Sequence, residues 1–103
     1  MEHCLFSNCN LRYFDLAENQ MKNIEITDSN LIESNWFENK IKKLYFDNNN
    51  LQRSTIYNNP FDSLDISTCD ILDVRIDIIS VKGLTIATYQ AEQFCHLLGV
   101  KVK

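Results

Sequence analysis

An apolar residue occupies every fifth position from Phe6 to Val81. The series is Phe6, Leu11, Leu16, Met21, Ile26, Leu31, Trp36, Ile41, Phe46, Leu51, Ile56, Phe61, Ile66, Ile71, Ile76 and Val81. The chain is 45% hydrophobic. An unbroken run of this length then arises by chance on the order of once in 10^5, even with a free choice of register. Neither standard element keeps such a series on one side. On an α-helix, steps of five turn by about 140° and scatter around the axis. On a flat strand they alternate between faces. A backbone that turns a corner every five residues holds them all inside, and four corners close a coil of twenty.

A second column supports the period of twenty. Two residues before each apolar centre, one corner reads Asn19, Asn39 and Asn59. Another reads Cys4, Ile24, Leu44, Leu64 and Leu84. The remaining corners read Cys9, Ser29, Asn49, Cys69 and Phe14, Ser34, Ser54, Val74. Self-similarity at such a period is the signature of a solenoid. Each coil buries its centres only against the coils above and below it, so no coil is stable alone. The inward asparagines are expected to form side-chain ladders between coils and to satisfy backbone groups at the turns.

The units Cys9–Leu11, Ser29–Leu31, Ser34–Trp36, Asn49–Leu51 and Cys69–Ile71 read CNL, SNL, SNW, NNL and CDI. They resemble the pentapeptide-repeat motif: a small residue, Asp or Asn, Leu or Phe, then two free positions. The resemblance covers residues 4–83 in one register. It implies an all-β solenoid, a right-handed quadrilateral β-helix of about four coils. Phe14, Ile24, Leu44, Leu64 and Val74 are large for the small inward position, and Lys40, Tyr45 and Pro60 replace Asp or Asn. Those departures predict local bulging of a coil.

After Val81 the rhythm stops, which divides the chain into a repeat region, 1–83, and a C-terminal unit, 84–103. Residues 82–86 read as a last strand edge. Thr88 is placed to cap a helix over 89–98, with Glu92 near its first turn and Gly99 past its end. Ala91, Phe94, Cys95 and Leu98 share one face at helical spacing, and residues 100–103 alternate like a short strand. The helix is expected to lie over the open end of the solenoid. Gly83–Lys103 is also similar to the C-terminal end of the quinolone-resistance branch of the family. That similarity implies a tail-to-tail homodimer through Tyr89, Phe94, Leu97, Leu98 and Val100.

Composition narrows the function classes. The start of the chain lacks a basic stretch followed by an apolar run, so a cytoplasmic location is expected, and no stretch has the length of a membrane span. Cys4, Cys9, Cys69 and Cys95 form no CxxC pair and the two histidines stand at opposite ends, a poor pattern for zinc. Buried reduced thiols are the expectation, with no cofactor. A net charge of −4 argues against direct nucleic-acid binding. No phosphate loop or nucleophile–base pair stands out, so a non-enzyme is expected.

Function must then be read from the outward residues. The face around Phe6, Ile26, Phe46 and Ile66 carries Glu25, Asp28, Asp47 and Asp65 and no base. The face around Leu16, Trp36, Ile56 and Ile76 carries Asp15, Glu18, Glu38 and Asp77 against Arg75. The face around Met21, Ile41 and Phe61 carries Lys22, Lys40, Lys42 and Lys43 against Asp62. Phe37 and Tyr57 stand one coil apart as outward aromatics. Two readings follow. In the first, the rod is a protein-interaction scaffold. In the second, the acidic line imitates DNA and modulates a type II topoisomerase such as gyrase, conferring quinolone protection, as the quinolone-resistance resemblance implies. Four coils at about 4.8 Å each span only roughly 19 Å, less than one turn of DNA at about 34 Å, which favours the first.

Overall fold

The corners are visible in the backbone as a left-handed residue two positions after most centres. His3, Asn8, Tyr13, Glu18, Asn23, Asp28, Glu33, Glu38, Lys43, Asn48, Arg53 and Asn58 follow one another at intervals of five, with Asp73 later, at φ between 49° and 60°. A non-glycine residue in this region costs about 1–2 kcal/mol, least for Asn and Asp, which suits Asn8, Asn23, Asn48 and Asn58 to their corners. The computed structural model describes residues 2–61 and 63–97. It is a β-solenoid of about four turns followed by a short helix.

Three parallel sheets build the walls. The first stacks β1 (Glu2–Ser7), β3 (Gln20–Thr27) and β5 (Lys40–Asp47). The second stacks β2 (Asp15–Ala17), β4 (Asn35–Phe37), β6 (Thr55–Tyr57) and β8 (Arg75–Ile76). The third pairs β7 (Leu64–Asp65) with β9 (Leu84–Thr85). Partners lie twenty residues apart throughout, as in Phe6 with Ile26 and Trp36 with Ile56. The remaining wall is a column of bridges joining Asn10, Asn30, Asn50 and Asp70. There each Asn or Asp side chain accepts from the N–H two residues on, at 3.0–3.2 Å. These are Asx turns, the local bond that favours Asn and Asp at corners.

The inward small residues satisfy the backbone where strands stop. Asn19 N–H donates to Asn39 Oδ1 (3.0 Å), Asn39 N–H to Asn59 Oδ1 (3.2 Å) and Asn59 N–H to Ser80 Oγ (3.0 Å). Asn39 and Asn59 Nδ2 then reach back to the carbonyls of Leu16 (3.1 Å) and Trp36 (2.8 Å). Cys9 and Ser29 N–H do the same with Ser29 Oγ and Asn49 Oδ1. A buried backbone group without a partner is costly, so these side chains are structural. By contrast, the corner with Ile24 and Leu44 lies inside strands eight residues long. The sheet ladder continues through it and the inward position stays apolar. A large residue there belongs to a continuing strand and does not disrupt the coil.

Thirteen of the sixteen period-five residues, Leu16 through Ile76, are buried; Phe6, Leu11 and Val81 are half-buried against the same core. Trp36 packs edge-on against Phe46 at 5.8 Å and donates its indole N–H to Ser34 Oγ at 2.9 Å. The regular coil ends sooner than the apolar series. A helical turn, α1 (Ile78–Val81), replaces the next corner. It leaves Ile79 exposed and turns Ser80 inward, so Ser80 takes the rung that an asparagine fills in earlier coils.

The C-terminal unit runs from β9 into a 3-10 turn (Thr88–Gln90) and α2 (Ala91–Leu97). Thr88 is not the cap. Ala87 precedes the turn, and its N–H is bound by Gln90 Oε1 at 2.8 Å. Gln90 Nε2 donates to the carbonyls of Ile66 and Cys69, both at 2.9 Å. Gln90 is wholly buried and Phe94 closes the core above Ile71, Val74 and Leu84. α2 therefore lies over the last coil, latched by Gln90. The strand expected over 100–103 lies outside the described residues.

Candidate interaction surfaces

The four carboxylates of the first wall share a side of the rod but differ in freedom. Glu25 is exposed in β3, opposite Tyr45. Asp28 Oδ1 accepts from Asn48 Nδ2 at 2.8 Å, and Asp47 Oδ1 from Thr68 Oγ1 at 2.9 Å. Asp65 is bound by Ser67, whose N–H lies at 2.8 Å, and these bonds hold its carboxyl below the usual range. Three of the four thus brace neighbouring residues or coils.

The other half of the same sheet, around Met21 and Ile41, is basic. Lys22 lies opposite Lys42, and Gln20 opposite Lys40, across one strand pairing. Lys43 follows at the corner, and all four lysines are exposed. Like charges one rung apart repel, so this stack is a cost to the fold.

The sheet β2-β4-β6-β8 presents a different chemistry. Its outward column places Ala17, Phe37 and Tyr57 in register. The rings of Phe37 and Tyr57 are 5.9 Å apart at 51° and exposed by 37% and 38%. Beside them, Glu18 and Glu38 occupy successive corners. Glu18 N–H donates to the Phe37 carbonyl (2.9 Å) and Glu38 N–H to the Tyr57 carbonyl (3.0 Å). Asp77 ends the column. Burial raises its pKa, but bonds from Ser80 and from the Asn58 N–H outweigh that and set it below the usual value.

At the covered end, the expected dimer residues separate. Tyr89 is 68% exposed, with its hydroxyl donating to the Ser67 carbonyl at 3.2 Å. Phe94, expected at the same contact, is instead buried in the core of its own chain. It is the apolar side of the lid and faces the last coil. The side chain of Leu97, and Leu98 and Val100 altogether, lie outside what the structure describes.

Concavities are shallow. An open groove of about 690 Å³ follows the corner of Tyr13, Glu33, Arg53 and Asp73, crossed by an Arg53–Glu33 ion pair at 3.0 Å of the exposed kind worth about 0–1 kcal/mol. The core void is near 10 Å³, no more than one water's space. Among the described residues no three His, Cys, Asp or Glu side chains are grouped to hold a metal ion, and no helix is long and apolar enough to cross a membrane. Burial pushes the Cys69 thiol up, away from the thiolate that reacts. Comparison with protein-family models and with curated proteins finds no match.

The left-handed corners, Ser80 and Gln90 were not anticipated from the sequence.

Proposed function

We propose that this chain is a non-enzymatic scaffold of the pentapeptide-repeat kind, which binds another protein in the cytoplasm through the outward walls of its solenoid. One observation supports this reading above the rest. Rigid sheets hold the exposed aromatic pair Phe37 and Tyr57, the lysine stack and the acidic wall at fixed one-rung spacings. Flat, preorganised surfaces of this type lose little conformational freedom on binding. A photo-crosslinker placed at position 37, 28 or 42 in separate preparations tests it in an extract of the source cell. Adducts concentrated on one wall are expected; adducts equally frequent from all walls, or from none, overturn the reading.

The exposed carboxylates of Glu25, Asp28 and Asp65, on the half of the sheet around Ile26 and Phe46 that carries no lysine or arginine at its own outward positions, favour one alternative partner, a type II topoisomerase that takes the rod in place of DNA. A supercoiling assay with and without quinolone decides. That alternative requires an effect at micromolar protein which Asp28→Lys with Asp47→Lys removes. Self-association through the exposed Tyr89 end belongs to the same proposal, and a monomeric mass by sedimentation would exclude it.

A further inference from the structure

The sheet β2-β4-β6-β8 carries two costs that the fold does not need. Glu18 and Glu38 sit on successive rungs, about 4.8 Å apart along the stack, and like charges so placed destabilise a sheet. Both also hold the left-handed conformation, at φ 55° and 54°, where an asparagine stands one coil later at Asn58. Among the described residues neither carboxylate has a side-chain hydrogen bond or an ion pair. Two other corner acids are used, Asp28 by Asn48 and Glu33 by Arg53; Asp73 shares the left-handed corner conformation but has no second acid on the rung before it, where Arg53 stands. Next to this idle pair stand the rings of Phe37 and Tyr57, 5.9 Å apart, tilted at 51° and each over a third exposed.

An exposed ring face attracts a cation and repels an anion. A carboxylate at its edge accepts hydrogen bonds from the same cation. Guanidinium satisfies both demands at once, because it is planar, stacks on rings and presents paired donors to a carboxylate; an ammonium is a strongly hydrated point charge and does less well. Small Ala17 at the top of the column leaves the Phe37 side of the platform open. The wall as a whole carries four carboxylates against Arg75, so its field favours a basic ligand.

We infer that this wall is the docking surface for an arginine-containing basic segment of a partner protein, one guanidinium lying against the tilted Phe37–Tyr57 ring pair while Glu18 and Glu38 bind its N–H groups. The inference rests on the scaffold reading and gives it a partner chemistry.

The test uses the full chain and fluorescently labelled hexa-arginine, hexa-lysine and hexa-glutamate peptides, read by anisotropy at about 150 mM salt, where long-range attraction is screened. Hexa-arginine is expected to bind several-fold more tightly than hexa-lysine, and hexa-glutamate not at all. Phe37→Ser with Tyr57→Ser should weaken hexa-arginine by about tenfold, the scale of one cation–π contact plus one charged bond. Glu18→Gln with Glu38→Gln leaves the core untouched and should weaken it comparably. Glu25→Gln on the first wall should leave it within about twofold. Equal affinity for the two basic peptides overturns the inference, as does equal loss from Glu25→Gln. Absence of hexa-arginine binding overturns it too, but leaves the scaffold reading standing, since crosslinking from these walls to a partner without arginine is unaffected.

Discussion

The two ends of the solenoid are built from the same kind of coil and finish differently. At one end Phe6, Leu11 and Phe14 fill inward positions yet remain half-buried. At the other, Leu64, Ile66, Ile71 and Val74 fill equivalent positions and are buried. The repeat does not cause this difference. Phe94 covers the second set, and Gln90 binds the carbonyls of Ile66 and Cys69 that no further coil takes. Two side chains outside the repeat therefore convert a stacking surface into an end. A coil supplies walls and a core, but a finish requires residues that break the pattern.

Substitutions at the two ends can break or sharpen that contrast. Phe94→Ala removes the lid's buried ring and should cost about 3 kcal/mol in urea unfolding, in the range of large-to-small core changes. Gln90→Ala should cost about 2 kcal/mol, because the Cys69 carbonyl and the Ala87 N–H lose their partner together, while the Ile66 carbonyl keeps its bond from the Cys69 N–H; α2 amides should then exchange faster without loss of the solenoid signal. The same aromatic-to-alanine change at Phe6 should cost only about 1 kcal/mol, since the site is already half-exposed. A Phe6→Ala cost equal to that of Phe94→Ala would remove the asymmetry. The smallest effect is expected from Asp77, whose carboxylate binds the N–H of Asn58 and Ser80 at the turn into the C-terminal unit. Its pKa is lower folded than unfolded. It therefore stabilises the fold above the ordinary carboxylate range, and this contribution is lost as pH falls through the lowered value. Asp77→Asn should reduce stability slightly at neutral pH and flatten the acid limb of a stability–pH curve.

The architecture was legible because burial enforces it. Every centre from Leu16 to Ile76 must point inward, so composition at those positions cannot drift, and the register of twenty follows. The ladder through Asn19, Asn39 and Asn59 was legible for the same reason, as a polar column in an apolar interior. What escaped notice depends on backbone geometry, not on burial. Residues as unlike as Tyr13, Glu18, Lys43 and Arg53 share one left-handed conformation, which no side-chain pattern announces. At α1 the helical turn exchanges Ile79 for Ser80 at the inward position, a one-residue slip hidden by the regular spacing of Val81. Among the candidate surfaces, column arithmetic brought Phe37 and Tyr57 together. It gave no hint that Asp28, Asp47 and Asp65 are engaged within the fold, whereas the apolar helix face had already set Phe94 over the open end of the solenoid.

The contrast between the ends is tested most directly by amide hydrogen exchange resolved residue by residue. The middle coils, read at the N–H groups of Ser29, Asn39 and Asn59, should exchange only through global unfolding. Ile66 and Cys69, beneath the lid, should match them. Asn8 and Leu11 in the first coil should exchange at least about tenfold faster, through local opening. Protection of the first coil equal to that beneath the lid would contradict the account.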